Sequence, residues 1–164
     1  MRPLRAGGPD PPMPSEVDVH FTTRGAQPGD VAVLAQLFCE LGYETTESEM
    51  EMRMERIATD ERYRTFVAMR DGKVCGMIGT FAYYSFVHND PCGKIVALVV
   101  GRDSRRLGVG RCLVAAVEKD FVRRGIKRVE LDTRLTRKDA QKFYESLGYE
   151  RNGWRFVKQL PVSD

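Results

Sequence analysis

The sequence lacks clustered cysteines and long apolar runs, and each absence excludes a class of protein. Four cysteines are scattered singly, with no CxxC pair and no adjacent histidine, so the spacing of a zinc site is missing and we expect no metal. No apolar run approaches the roughly 18 residues that span a bilayer, so we expect no membrane partner. Three of the cysteines fall in apolar periodic segments, which predicts buried, reduced thiols and favours the cytoplasm.

Charge of one sign is also scarce. The formal net charge is only +3 over 164 residues, which suits small anionic ligands and is too weak to indicate a nucleic-acid partner. The 42% apolar and 30% charged residues are typical of a globular domain. Residues 1–16 are rich in proline and glycine and carry no apolar stretch. We therefore predict a disordered leader over 1–16 and one domain over 17–164.

Hydrophobic periodicity predicts that strands and helices alternate along this domain. Its first half is expected to contain a strand over Val17–Thr23, a helix capped by Asp30, a second helix from Thr46 or Ser48, and a hairpin that turns at Asp71-Gly72. Its second half is expected to contain a strand over Lys94–Val100, a helix ending near Gly125, the strand "KRVELDT", a helix opened by a Thr136–Asp139 capping box, and a terminal hairpin from "YERN" and "WRFVKQL". The strands before and after the third helix should be parallel, and the helix should connect them by a right-handed crossover.

The stretch "SRRLGVG" (residues 104–110) places glycines and arginines where a strand ends and a helix begins. Such turns bind phosphate, because free backbone N–H groups at a helix N-terminus point at the anion. A Walker A loop is excluded, since no G-x-x-x-x-G-K-[ST] string is present. A dinucleotide fingerprint fits Gly108, Gly110 and a later Glu130, but Leu113 stands where its third glycine belongs. An ordinary basic turn is the remaining alternative.

The spacing Arg105-x-x-Gly108-x-Gly110 resembles the pyrophosphate loop of the GNAT acetyltransferase family. The stretch "DAQKFYESLGY" resembles the second signature of that family through Ala140, Phe143, Tyr144, Gly148 and Tyr149. The spacing Arg24-x-Ala26-x-x-x-Asp30 resembles the connection from the first strand to the first helix in that family. The hairpin "DGKVCGMIG" also resembles the hairpin of that family. These features occur in family order from about Val17 to Leu160.

The resemblance implies an α/β (α+β) single-domain fold, with about four helices and a mixed, V-shaped sheet of six or seven strands. Acetyl-CoA would enter where the two central parallel strands part. The cofactor-binding residues implied in this way are Leu98, Val99 and Val100 for the pantetheine arm, Arg105, Arg106, Leu107, Gly108, Val109, Gly110 and Arg111 for the pyrophosphate, and Ala140 and Tyr144 beside the sulfur. By the same resemblance, Tyr144 would protonate the departing thiolate.

Three features depart from the family pattern. Arg106 stands where glycine is frequent, and Arg137 stands where asparagine is frequent. The fourth strand, which often carries an acidic general base, reads Lys94–Ala97 here and offers no carboxylate. The acceptor ammonium must still lose a proton before attack. Glu130 and Asp132, acting through a water, are therefore the predicted bases, with His88 as a further candidate and plain salt bridges as the alternative.

The C-terminal half is similar to small-amine acetyltransferases, including the aminoalkylphosphonate type. The predicted activity is acetyl transfer to a primary amine of a small molecule by direct attack in a ternary complex, with a homodimer as a possible assembly. Four aromatic residues are candidates for acceptor binding, with core packing as their alternative role: Phe38, Tyr43, Tyr84 and Trp154. Two other functions stay open, a peptide or protein amine acetyltransferase and a non-catalytic acyl-CoA-sensing module.

Overall fold

The computed structural model describes residues 20–161; the predicted leader and residues 17–19 of the predicted first strand lie outside that range. Within it the chain forms four α-helices and five strands. Their order is β1 (Thr22–Gly25), α1 (Val31–Glu40), α2 (Glu47–Ala58), β2 (Tyr63–Arg70), β3 (Lys73–Tyr83), β4 (Cys92–Val100), α3 (Val109–Arg123), β5 (Arg128–Leu131) and α4 (Lys138–Ser146). The predicted fold class and number of helices are confirmed.

The strands form one mixed sheet in the order β1-β2-β3-β4-β5. The first four strands pair antiparallel, and β4 pairs parallel with β5 from Cys92–Arg128 to Ile95–Leu131. A parallel neighbour requires a crossover connection, which α3 supplies. The predicted parallel unit is therefore confirmed. No helix among the described residues is long and apolar enough to cross a membrane.

Helices cover both faces of the sheet. Helix α3 buries a 3.6-residue stripe that includes Leu113, Val117 and Phe121 against Ile78 and Ile95. Helices α1 and α2 cover part of the opposite face, where Leu34 and Met50 pack on residues of β2, β3 and β4 (Val67, Met77 and Val99). The apolar residues of β4 thus divide between two cores, as its nearly continuous apolar sequence indicates.

Local signals account for several element boundaries. Asp71 and Gly72 both have positive φ, 50° and 74°, as a type I′ hairpin turn requires. The capping box that opens α2 joins Thr46 and Glu49 in both directions. Asp30 stands at the predicted N-cap of α1, but its carboxylate accepts hydrogen bonds from Arg24 and from the backbone of Gln27 instead of capping the helix.

Four sequence predictions are wrong. The described residues form a sheet of five strands, since the stretch 149–161, predicted to form the terminal hairpin, contains no strand. The Thr136–Asp139 capping box is absent from the described structure, because the N-cap of α4 is Arg137 and its ψ is 67°. The first strand starts later than predicted, at Thr22. Two cysteines are buried and not three: Cys75 and Cys92 are buried, Cys112 is half-buried and Cys39 is exposed.

Candidate active site

The second half of β4 has a free edge on the side of β5. Pairing between the two strands ends at Ile95–Leu131, whereas β4 continues to Val100 along β3. A bulge lies at the same place, because Gly79 pairs with Ala97 and Thr80 with Ile95, which leaves Val96 without a partner on β3. The backbone groups of residues 96–100 that point away from β3 are therefore available to a ligand. This edge includes the predicted cofactor residues Leu98, Val99 and Val100.

The loop after β4 leads into a helix N-terminus without a side-chain cap. Arg106 and Gly108 are in the left-handed region, with φ of 62° and 92°, and Gly108 is the N-cap of α3. Among the described residues no side chain caps α3, and its first turn has no acidic residue. The first N–H groups of α3, including those of Val109 and Gly110, thus lack helical partners and can bind an anion.

The predicted pyrophosphate residues lie in this loop, but their roles differ. The guanidinium Nε of Arg105 donates a 3.0 Å hydrogen bond to the carbonyl of Val100, so that side chain ties the loop to the strand. Gly110 lies close to α4, since a Cβ there would be 3.1 Å from Cζ of Phe143. The side chains of Arg106, Leu107 and Arg111 are exposed. The guanidinium groups of Arg106 and Arg111 therefore face solvent, where an anion can approach.

Helix α4 packs Tyr144 against the core that α3 forms with the sheet. Its ring contacts those of Phe143 and Tyr149 edge-on, with centroids 5.1 and 5.7 Å apart. Burial raises the pKa of Tyr144 to about 12, although the nearby Arg137 acts in the opposite sense. No hydrogen bond to a described residue holds its hydroxyl. Tyr144 therefore keeps its proton at neutral pH and has it free to donate. Tyr149 differs, because its hydroxyl donates to Glu118 at 3.0 Å.

Both candidate carboxylates are paired. The hydroxyl of Tyr83 on β3 donates a hydrogen bond to Glu130 on β5. The ammonium of Lys94 lies 2.7 Å from Asp132, just beyond β5. His88 lies in the exposed β3–β4 loop, away from this pair of acids. Of the three candidate bases, the structure brings only Glu130 and Asp132 next to the place where β4 and β5 part.

A row of aromatic rings on the same sheet face was not predicted. The rings of Tyr63 and Phe81 lie 4.6 Å apart, those of Phe81 and Tyr83 lie 6.0 Å apart and nearly parallel, and the Arg62 guanidinium lies 5.3 Å above Phe81. The period-2 spacing of Phe81 and Tyr83 in β3 could have indicated a shared face. Their proximity to Tyr63 depends on the pairing of two strands.

The four aromatic residues predicted for the acceptor are not brought together. Phe38 on α1 is half-buried and packs against the core between α1, α2 and the sheet. Tyr43 is 47% exposed, and its hydroxyl accepts a 2.8 Å hydrogen bond from Arg134 on the β5–α4 loop. Tyr84 is exposed in the β3–β4 loop, and Trp154 is exposed in the C-terminal stretch. Phe38 is thus a core residue, and the other three lie at separate places.

A cavity of about 1260 Å³ lies along the outer edge of β5, between that strand, α4 and residues 149–155. Its lining includes Tyr144, Leu131 and Trp154 but no residue of β4 or of the 105–111 loop. It is therefore separate from the free edge of β4.

Comparison with known proteins identifies the family. Residues 31–149 match the model of the acetyltransferase (GNAT) family, so the chain belongs to that family and is an acetyltransferase. A curated relative from Salmonella typhimurium, aminoalkylphosphonate N-acetyltransferase, is 30% identical over 141 residues, covering 74% of this chain and 92% of the relative. The mycothiol acetyltransferase of Thermomonospora curvata is 31% identical over 96 residues, which cover 58% of this chain and 31% of that protein.

Solved structures share the fold. A transcriptional regulator from Bacillus halodurans superposes with a TM-score of 0.79 at 21% identity, covering 86% of this chain and all of that one. An aminoglycoside N-acetyltransferase in complex with CoA superposes with a TM-score of 0.77 at 20% identity, covering 88% of this chain and 97% of that chain. At these identities the likeness establishes the architecture.

Proposed function

We propose that the protein transfers an acetyl group from acetyl-CoA to a primary amine of a small molecule, by direct attack within a ternary complex. One observation carries the proposal. The free edge of β4 beyond Ile95 leads through the following loop into the uncapped start of α3, where Gly110 lies against Phe143, the residue before Tyr144 on α4. A strand edge, an anion site and a proton donor are what an acyl-CoA thioester needs.

In this proposal the α3 N-terminus, with residues 105–111, binds the diphosphate of acetyl-CoA. The backbone groups of Leu98 to Val100 that point away from β3 bind the pantetheine arm, and backbone N–H groups at the bulge stabilise the oxyanion that forms on the thioester carbonyl. Ala140 lies in the first turn of α4, one turn before Tyr144, and packs beside the arm. Acetyl-CoA is the substrate that supplies the acyl group, and no metal takes part.

The acceptor nitrogen must lose two protons in all. Glu130 or Asp132, through a water, takes one from the ammonium so that the nitrogen lone pair can form the C–N bond. The C–S bond then breaks, and the nitrogen gives up a second proton as the amide forms. The sulfur ends as the thiol, and the other proton reaches solvent. Because burial raises the pKa of Tyr144 to about 12, its hydroxyl stabilises the departing thiolate by donating a hydrogen bond.

The test is a screen for CoA release with saturating acetyl-CoA and small amines, aminoglycosides, polyamines and peptides. Small amines should be the best acceptors, in keeping with the N-acetyltransferases that this chain resembles. Initial rates should follow a sequential pattern, and each cysteine variant should keep its activity, since no acyl-thiol intermediate is invoked. Preference for peptides would favour protein acetylation. Binding of acetyl-CoA without turnover of any amine would favour a sensing module.

We also propose that the chain forms a homodimer in which residues 150–161 of one copy cover β5 of the other. Trp154, Phe156 and Leu160 are at least 71% exposed, although they alternate as strand residues do. Within the described range the outer edge of β5 has no partner strand, and free edges recruit strands. Light scattering after gel filtration should give a dimer, and truncation after Asn152 should give a monomer. A monomeric full-length chain would contradict this assembly.

Two further proposals concern the chain as a whole. The catalytic domain spans residues 17–164, so deletion of the first twelve residues should leave activity and Tm unchanged. The compartment is the cytoplasm, because all four cysteines are free thiols, the state that reducing compartments maintain. A fall of several degrees in Tm on truncation would contradict the first of these.

A further inference from the structure

Two carboxylates share one face of the sheet beside the point where β4 and β5 part. Glu130 stands opposite Lys94 in the β4–β5 register, and Asp132 follows Glu130 by two residues. Lys94 in turn stands opposite Phe81 on β3, and Tyr83 follows Phe81 by two residues. Because alternate residues of a strand point to the same side, both carboxylates and both of their partners lie on one face.

The two carboxylates differ in the charge of their partners. The ammonium of Lys94 lies 2.7 Å from Asp132. Glu130 is also in register with Lys94, but among the described residues its carboxylate has no ion pair, and its Oε1 accepts a hydrogen bond from the neutral hydroxyl of Tyr83. Asp132 must therefore give up an ion pair in order to accept a proton. Glu130 keeps Oε2 open, since no other described donor reaches it.

The ring of Tyr83 is restrained, and its hydroxyl with it. The ring stacks on that of Phe81, with centroids 6.0 Å apart and planes 9° apart, and Phe81 in turn packs against Tyr63 at 4.6 Å. The side chain of Tyr83 reaches from β3 across β4 to Glu130 on β5. The β4 residue opposite Tyr83 is Cys92, whose small side chain is fully buried but belongs to neither core, so it leaves room for this crossing.

A fixed orientation is what a half-buried glutamate on a strand otherwise lacks. A hydrogen bond to one carboxylate oxygen holds the plane of the group and aims the other oxygen in one direction, which removes the need to search among rotamers. We propose that Glu130, and not Asp132, is the base of the acetyl transfer, and that Tyr83 is a positioning residue that holds Glu130 with Oε2 open to water. This inference rests on the proposed acetyl transfer.

The proton transfer follows directly. The acceptor ammonium gives a proton through a water to Oε2 of Glu130, and the nitrogen keeps the electron pair that forms the C–N bond. Tyr83 retains its own proton throughout, and Glu130 later returns the proton it has taken to solvent. The pair of Lys94 and Asp132 stays intact.

The experiment compares two acceptors, ethylamine and 2,2,2-trifluoroethylamine, with saturating acetyl-CoA near neutral pH. Ethylamine is almost wholly protonated there, as an alkylammonium with a pKa of about 10 is, whereas the fluorines leave most of the second amine neutral. For ethylamine, kcat/KM should fall roughly a hundred-fold or more in Glu130→Gln and roughly tenfold in Tyr83→Phe, the scale of one hydrogen bond to a charged group. For trifluoroethylamine both losses should stay below about threefold, because a neutral amine needs no base before it attacks.

Two further variants show that Tyr83 acts through Glu130. In the Glu130→Gln background, Tyr83→Phe should cause almost no further loss of kcat, since the group that it positions is already absent. The KM for acetyl-CoA should stay unchanged in all these variants. Tyr63→Phe is the matched control, because it removes a hydroxyl from the same row of rings at the end far from Glu130, and it should keep its activity with both amines.

Other outcomes would overturn the inference. A larger loss in Asp132→Asn than in Glu130→Gln would make Asp132 the base. Equal losses with both amines, or full activity of Tyr83→Phe, would make Tyr83 a structural residue. Full activity of Tyr83→Phe together with a loss in Lys94→Met as large as that of Glu130→Gln would make Lys94 the partner that holds Glu130.

Failure of the proposed function is recognised separately. A wild-type protein that released no CoA with any amine would refute the acetyl transfer and, with it, the role of Glu130 as its base. Thermal unfolding of the single and double variants then tests the contact alone. Non-additive losses of Tm for Tyr83→Phe and Glu130→Gln would establish it, and additive losses would refute it.

Discussion

The ring of Phe121 on α3 lies directly over Gly93 of β4. A Cβ at Gly93 would be 2.7 Å from Cζ of Phe121, closer than real Cβ contacts allow, and Phe121 is itself only 1% exposed. The absence of a side chain at Gly93 lets the last turn of α3 approach the sheet.

Gly93→Ala should destabilise the protein, because the added methyl group forces Phe121 or the α3 backbone to move. Overpacking of a core costs about 1–3 kcal/mol, which is a fall in Tm of roughly 2–12 °C for a domain of this size. Gly79→Ala is the matched control on the neighbouring strand, since its Cβ would meet Val96 and Ala97 at ordinary distances of 3.6 and 3.8 Å. Thermal unfolding that showed equal losses for both variants would contradict the tight contact.

Asp30→Asn should lower stability in a pH-dependent way. Hydrogen bonds from Arg24, at 2.7 and 2.8 Å, lower the pKa of Asp30 in the folded state. A lowered folded pKa stabilises the fold above the unfolded pKa of about 3.9, and this contribution is lost as pH falls through the folded value. The difference in Tm between wild type and variant should therefore be constant above about pH 5 and shrink below pH 4.

The control for this titration is Asp90→Asn, which removes an exposed ion pair with Lys127. Exposed pairs contribute little, so its Tm should stay close to that of wild type at every pH. A difference for Asp30→Asn that persisted unchanged at pH 3 would show that geometry, and not the carboxylate charge, stabilises the β1–α1 connection.

Short-range patterns predicted most of the fold. The Asp71-Gly72 turn, the α2 start at Thr46 and the end of α3 before Gly125, whose φ is 74°, each depend on residues within one turn of chain. The Thr136–Asp139 capping box failed although it is local, but the largest failure, the terminal hairpin, involves partners chosen at long range. The stretch 149–161 alternates as a strand does, but alternation does not specify which edge it pairs with, and the structure leaves it unpaired.

In the candidate site, too, contiguous motifs were readable from the sequence, whereas contacts between distant residues were not. The loop around Gly108 and the position of Tyr144 followed from motifs that are contiguous in sequence. The Tyr83–Glu130 hydrogen bond joins residues 47 positions apart, and the Lys94–Asp132 pair depends on the β4–β5 register. A sequence lists such side chains without showing that three strands bring them to one face.

Gly108→Val should weaken the binding of acetyl-CoA. Gly108 is the N-cap of α3 with φ of 92°, a conformation that a β-branched residue adopts only with strain, so the loop and its free N–H groups must move. At about 100 times Kd, acetyl-CoA should raise the Tm of wild type by roughly 5–10 °C. A tenfold loss of affinity would make the shift roughly 3–5 °C smaller in the variant.

Gly125→Val is the matched control for Gly108→Val. Gly125 also has positive φ, 74°, and open space around its Cβ, but it lies at the opposite end of α3. Both variants should therefore lose stability without ligand, and only Gly108→Val should lose part of the acetyl-CoA shift. Equal shifts in the two variants would remove this loop from the proposed cofactor site.

Tyr144→Phe should lower kcat by roughly ten- to a thousand-fold, the scale expected for loss of one positioned proton donor. The change keeps the ring that packs against Phe143 and Tyr149 and removes only the hydroxyl, so Tm and acetyl-CoA affinity should hardly change. The matched control is Tyr149→Phe, whose hydroxyl is engaged with Glu118 and faces no proposed reacting atom; it should keep its kcat. For each variant, kcat is measured by CoA release and acetyl-CoA affinity by thermal shift, on one preparation.

Because burial raises the pKa of Tyr144 to about 12, wild-type activity should show no loss up to pH 9 from ionisation of this residue. Full turnover by Tyr144→Phe would make Tyr144 a packing residue and leave the thiolate to take its proton from solvent.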